Sequence, residues 1–120
     1  MEDLFTHKNE NTKANIAAYN EQKVRLSLNC WILLFAMLEQ KHITGLDCTK
    51  GISFRGMNQP VVMTEYRRRF ADLIAAGVEI MKVKHSNGFK EFFIPLHLIS
   101  KYQDIYLPYK QQILSKINAK

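Results

Sequence analysis

The chain has 120 residues, with seventeen Lys and Arg against eleven Asp and Glu, giving a net charge of +6 and a pI near 9.4. That length holds one domain with one modest core, which excludes most large-sheet enzyme folds. A composition of 47% hydrophobic and 23% charged residues excludes wholesale disorder.

The longest unbroken apolar run, Cys30 to Leu38, has nine residues, about half of the roughly 20 that a bilayer crossing needs. The opening MEDLFTHKNE holds three acids and no apolar region, so no secretory leader is expected there. The expectation is a cytoplasmic protein with no membrane partner.

The charge is uneven. Residues 1–23 carry three basic and four acidic groups, whereas residues 41–120 carry thirteen basic against six acidic. A basic body suits a polyanion, nucleic acid above all, because neutralising phosphates releases counterions. Basicity kept only for solubility is the plain alternative. The two cysteines, Cys30 and Cys48, form no CxxC motif and are read as reduced and structural.

Residues 1–12 are polar and turn-rich and read as a loose N-terminal arm. Lys13 to Gln40 contains neither Gly nor Pro. Its polar first half suggests a separate short helix, and one main helix is expected near residues 21–40. From Val24 to Leu38 that helix is apolar on nearly every side, so it must be covered all round. Either the C-terminal segment or a second subunit has to do this. A homodimer through helix 24–38 and the C-terminal segment is therefore one expectation.

Residues 41–60 break the helical pattern: Ile43-Thr44 suggests a short strand or turn, Leu46–Lys50 a short helix, and the rest a loop ending at Pro60. Gly51 and Gly56 have phosphate-loop spacing, but Met57-Asn58 stands where Lys-Ser/Thr is required, so that reading fails. An amphipathic helix is expected from Pro60. Met63, Tyr66, Phe70, Leu73 and Ile74 would share one face, with Arg68 opposite and Arg67 and Arg69 on its shoulders. Gly77 would cap its end.

Val78 to Pro95 reads as a hairpin turning at Asn87-Gly88. A two-residue loop pairs Ser86 with Phe89, Val83 with Phe92 and Met81 with Ile94. One face would then hold Met81, Val83, Phe92 and Ile94, the other Lys82, Lys84, Glu91 and Phe93, with Lys90 opposite His85 and off the Lys82–Lys84 face. The tail from Leu96 reads as one or two helices broken at Pro108. Its stripes are Leu98, Ile99, Tyr102, Ile105 and Tyr106, then Ile113, Leu114 and Ile117.

A helix with outward arginines followed at once by a basic hairpin resembles a winged helix-turn-helix over roughly residues 24–95. The run Thr64-Glu65-Tyr66-Arg67-Arg68-Arg69-Phe70-Ala71-Asp72-Leu73-Ile74-Ala75-Ala76-Gly77-Val78-Glu79-Ile80 looks like the helix, Asp-Leu, Gly, strand passage of small helix-turn-helix proteins common in phages and mobile elements. The resemblance implies an α+β fold, a winged helix-turn-helix core with a two-stranded wing, and an extra C-terminal helical segment. The divisions are an arm at 1–12, the winged domain at 13–95 and the extension at 96–120.

It further implies that the helix ending at Gly77 is the recognition helix and that double-stranded DNA is the partner. Such a protein would serve as a phage or mobile-element regulator, recombination accessory or replication factor. Arg67, Arg68 and Arg69 would then contact the major groove, where an arginine fork matches guanine or phosphate. Lys82, Lys84 and Lys90 would contact phosphates, and Thr64 would sit at the helix start beside base or backbone. The same arginines would also suit a solvated face, with one paired to Glu65 or Asp72. The strand lysines would also serve to blunt a sheet edge. Tyr66 and Phe70 read as core.

Catalysis is not expected: no carboxylate pair or GxSxG stands out. His7, His42, His85 and His97 lack metal-ligand spacing, so neither metal nor cofactor is expected. The alternative function is a winged-helix protein-interaction module, a subunit or inhibitor of a nucleic-acid enzyme without DNA binding of its own. The apolar first helix and Tyr102, Tyr106 and Tyr109 of the tail favour it.

Overall fold

A computed structural model of the chain describes residues 26–86 and 88–119. The expected arm, the short helix before residue 21 and the first residues of the main helix lie outside the described residues. The main helix is α1, Leu28–Leu38, and it starts where Ser27 accepts a hydrogen bond from the Cys30 amide. An N-cap serine satisfies one of the amides that a helix start leaves unpaired. Gln40, at φ +65°, follows the end of α1 and turns the chain into β1, Ile43–Thr44.

Next comes α2, Gly45–Lys50, opened by a reciprocal cap. Thr44 Oγ1 accepts from the Asp47 amide, and an Asp47 carboxylate oxygen accepts from the Thr44 amide. After a long loop come α3, Tyr66–Ala75, the strands β2, Met81–Lys84, and β3, Lys90–Phe93, then α4, Leu96–Tyr106. A 3-10 turn at Leu107–Tyr109 contains Pro108, and α5, Lys110–Asn118, completes the described chain. The three strands form an antiparallel sheet in the order β1-β3-β2, so the fold is α+β.

Helix α3 starts at Tyr66, not at Pro60 as the apolar spacing suggests. The intervening backbone is committed elsewhere. Ile52 and Val61 exchange both amide-carbonyl hydrogen bonds at 2.9 Å, and the Met63 amide donates to the Cys48 carbonyl at 2.8 Å. Those pairings tie the loop to α2, and they are incompatible with helical bonding through residues 61–63. Met63 is still core, but from the loop. Ile74, expected on the buried stripe, is 45% exposed.

The end of α3 follows the expected glycine rule. Val78 donates to the Leu73 carbonyl and Gly77 to the Ile74 carbonyl, both at 3.0 Å, with Gly77 at φ +100°. This Schellman arrangement needs a left-handed residue, and it brings buried Val78 against the end of the helix.

The core is α1 itself. Cys30 and every residue from Ile32 to Leu38 are at most 2% exposed, because α3, α4 and α5 all pack on this helix. The C-terminal segment thus covers part of α1. Trp31 stacks on Phe35 and meets Tyr106 and Tyr109 of the tail, with ring centroids 5.6–5.9 Å apart.

The tail also holds the polar framework together. Gln103 donates to the Leu38 carbonyl at 3.2 Å, satisfying a carbonyl at the end of α1. Asn118 grips the loop at both ends of its amide: its oxygen accepts from the Asn58 amide and its nitrogen donates to the Gly56 carbonyl. No helix among the described residues is long and apolar enough to cross a membrane.

Candidate nucleic-acid interface

The three arginines at the start of α3 do not act alike. Arg67 and Arg68 are exposed. Arg69 turns inward: Nη1 donates to Ser27 Oγ at 3.3 Å, and Nη2 lies 3.3 Å from the Asp72 carboxylate one turn on. Its Nε is buried without a partner among the described residues. Arg69 therefore ties α3 to the cap of α1, and the expected basic face shrinks from three arginines to two. Thr64 is exposed and borders a separate recess of about 170 Å³, shared with Asn29, Val62, Glu65 and Arg69.

The hairpin differs from expectation by one residue of register. Met81 pairs with Phe93, Lys82 with Phe92, Val83 with Glu91 and Lys84 with Lys90. The loop has three residues, 86–88, not two. His85 donates to the Phe89 carbonyl at 2.8 Å and Gly88 to the His85 carbonyl at 2.9 Å, with Gly88 at φ +89°. This is the three-residue hairpin in which a left-handed glycine makes a bulge.

A one-residue slip exchanges the faces of one strand relative to the other. Directly opposed residues share a face, so Lys82, Lys84 and Lys90 lie together on the Phe92 side. The Phe92 ring stacks on Phe70 of α3 at 4.1 Å and 14°, and this fixes the lysine-bearing face as the one turned toward α3. Lys90, expected off the lysine face, is on it. Glu91 and Phe93, expected among the lysines, are on the opposite face. Met81 and Val83, expected to be buried with Phe92 and Ile94, are 43% and 39% exposed.

Between α2, the first turn of α3 and the hairpin lies a cleft of about 440 Å³. Arg67 from α3 and Lys90 from β3 both line it. Tyr66, Phe89 and Phe92 supply aromatic surface, and Gly45, Leu46 and Thr49 line it from α2. The Tyr66 ring fills the space where a side chain at position 45 would sit, since a Cβ there would come within 2.7 Å of Tyr66 Cζ. Glycine at the head of α2 is thus a condition of this wall. Tyr66, read from the sequence as core, is only half-buried, whereas Phe70 is fully buried.

On the opposite face Glu91 gathers two histidines that lie far apart in sequence. His42 Nδ1 is 2.5 Å from Oε2, and His85 Nε2 is 2.7 Å from Oε1. The hydrogen bond from His85, then that from His42, holds the Glu91 carboxyl below its ordinary value. His42 also stacks on Phe93 at 4.2 Å. Among the described residues no group of three His, Cys, Asp or Glu is arranged to hold a metal ion.

Tyr66, Phe89 and the Gly45 head of α2 line the cleft beside Arg67 and Lys90, and sequence reasoning did not single them out for it. The available signal was a glycine directly after a β-branched strand, at the head of a helix. No family model, curated protein or solved structure matches the chain.

Proposed function

We propose that the protein is a winged-helix DNA-binding protein, with α3 as the recognition helix and the β2–β3 hairpin as the wing. The order α1-β1-α2-α3-β2-β3, with β1 and β2 flanking β3, supports this architecture. The observation that carries the reading is the convergence of charge. Arg67 and Lys90 line one cleft, while Lys82 and Lys84 extend the same α3-facing side of the hairpin and Arg68 stands exposed on α3. In this reading α3 lies in the major groove, Arg67 and Arg68 address base edges or phosphates, and the lysines hold the flanking backbone. Arg69 is a structural residue.

Fluorescence anisotropy with a labelled duplex across a salt series tests the reading. Contact by three to five of these cations predicts a log-log salt slope of about −3 to −5. The double variant Arg67→Ala/Arg68→Ala should lose affinity with its melting temperature kept. Unchanged binding by that variant would remove α3 as the recognition helix.

A second reading, a protein-interaction module, is favoured by exposed Met81 and Val83 on the hairpin's other face. It requires a complex that persists at high salt, where phosphate contacts are screened.

A further inference from the structure

We infer that the cleft between α2, the first turn of α3 and the hairpin receives an unpaired nucleobase, so that interrupted DNA binds more tightly than a continuous duplex. The inference rests on the DNA-binding reading and names the form of DNA that this surface selects. Charge alone would serve for phosphates, but the cleft is not lined by charge alone. Tyr66 is half-buried and Phe89 is 50% exposed, and both present ring surface beside Arg67 and Lys90.

A continuous duplex offers a protein its phosphates and groove edges, while the faces of its bases are stacked on one another. Ring faces become partners only for a base that has left the stack, and such a base can lie on aromatic side chains whatever its sequence. The volume of about 440 Å³ falls in the range of roughly 300–1,000 Å³ typical of small-ligand sites, enough for one nucleotide. The walls are preformed. Tyr66 is held over Gly45, and Phe92 is locked by its stack on Phe70. The Arg67 guanidinium lies over the Tyr66 ring, 5.8 Å from its centroid, which keeps positive charge at the cleft wall. Arg67 and Lys90 then take the phosphates on the two sides of the base.

The test uses the full chain and three labelled DNAs: a continuous duplex, the same duplex with one bulged 2-aminopurine, and one with an abasic residue in the bulge. The expected result is roughly tenfold tighter binding of the 2-aminopurine bulge than of the other two, with a change in its fluorescence on binding. Phe89→Ala should abolish the preference for the base-bearing bulge over the abasic bulge together with the fluorescence change, and Phe89→Trp should restore both.

Equal gains for the base-bearing and abasic bulges would show that flexibility, not a base, is selected, and would overturn the inference while leaving DNA binding intact. So would no preference between bulge and duplex. A full fluorescence response in Phe89→Ala overturns the assignment to this cleft. Failure to bind any of the three DNAs overturns the DNA-binding reading, and this inference with it.

Discussion

Lys84 and Lys90 are direct cross-strand partners at the turn end of the hairpin. Like charges so placed repel across the ladder, and the cost is relieved when an anion lies against both. Replacing Lys84 by Gln should therefore raise the melting temperature slightly, by the equivalent of a few tenths of a kcal/mol at low salt, and the gain should fade as salt screens the pair. The same variant should bind DNA more weakly. Thermal denaturation and anisotropy on one preparation check the two opposite signs. A stability gain with unchanged affinity would assign Lys84 to edge protection alone.

Tyr102 joins the tail to the passage between α3 and β2. Its buried hydroxyl accepts from the Glu79 amide at 3.0 Å and faces the Gly77 carbonyl at 3.5 Å. Tyr102→Phe leaves these groups without that partner and should cost about 1–2 kcal/mol. In a domain of this size that lowers the melting temperature by roughly 4–8 °C for each kcal/mol. A calorimetric scan gives the answer, and an unchanged midpoint would mean that the hydroxyl contributes nothing to the junction.

Ile113 reports on the cover of α1. It is 5% exposed, in the helix that packs on α1. Ile113→Ala should reduce stability by about 2–4 kcal/mol in urea titration, by lost burial and an incompletely filled cavity. DNA affinity of the folded fraction should persist, since the residue is not part of the α3–hairpin cleft. A loss below about 0.5 kcal/mol would indicate that α5 is not an essential cover.

Glu91 supplies a pH dependence whose sign is fixed. Its carboxyl is held below its ordinary value by His85 and then His42. A carboxyl depressed in the folded state contributes stability above its unfolded pKa of about 4.3, and that contribution is lost as pH falls through the folded value. The native chain should melt above Glu91→Gln at about pH 6, and the two curves should converge as pH falls through the depressed folded value. A gap that widens on acidification would contradict the assignment.

The two cysteines should be inert in the folded state. Both are fully buried. Burial, and then the charge of Asp47, pushes the Cys48 thiol up to about 12, and burial raises Cys30 as well. Thiolate is the reacting form, so a thiol reagent at about pH 8 should label neither residue until denaturant is added. Rapid labelling of the native protein would show that α1 or α2 opens readily.

The signals legible in the chain alone are local. Ile43-Thr44 marked β1, Gly77 marked the end of α3, Asn87-Gly88 marked a hairpin, and Pro108 marked the break in the tail. Each works through backbone preferences that act within a few residues. The solitary apolar run Cys30–Leu38 likewise announced a helix that had to be covered.

The remainder depends on partners that lie far along the chain. Helix α3 starts late because residues 61–63 bond to Cys48 and Ile52. Arg69 leaves the surface because Ser27 is there to receive it. The lysines share a face because β3 must place Phe92 between Ile43 and Lys82 across the sheet and against Phe70 below it. A turn dipeptide announces a hairpin but leaves open a loop of two or three residues, and that single residue sets the face on which Lys90 stands.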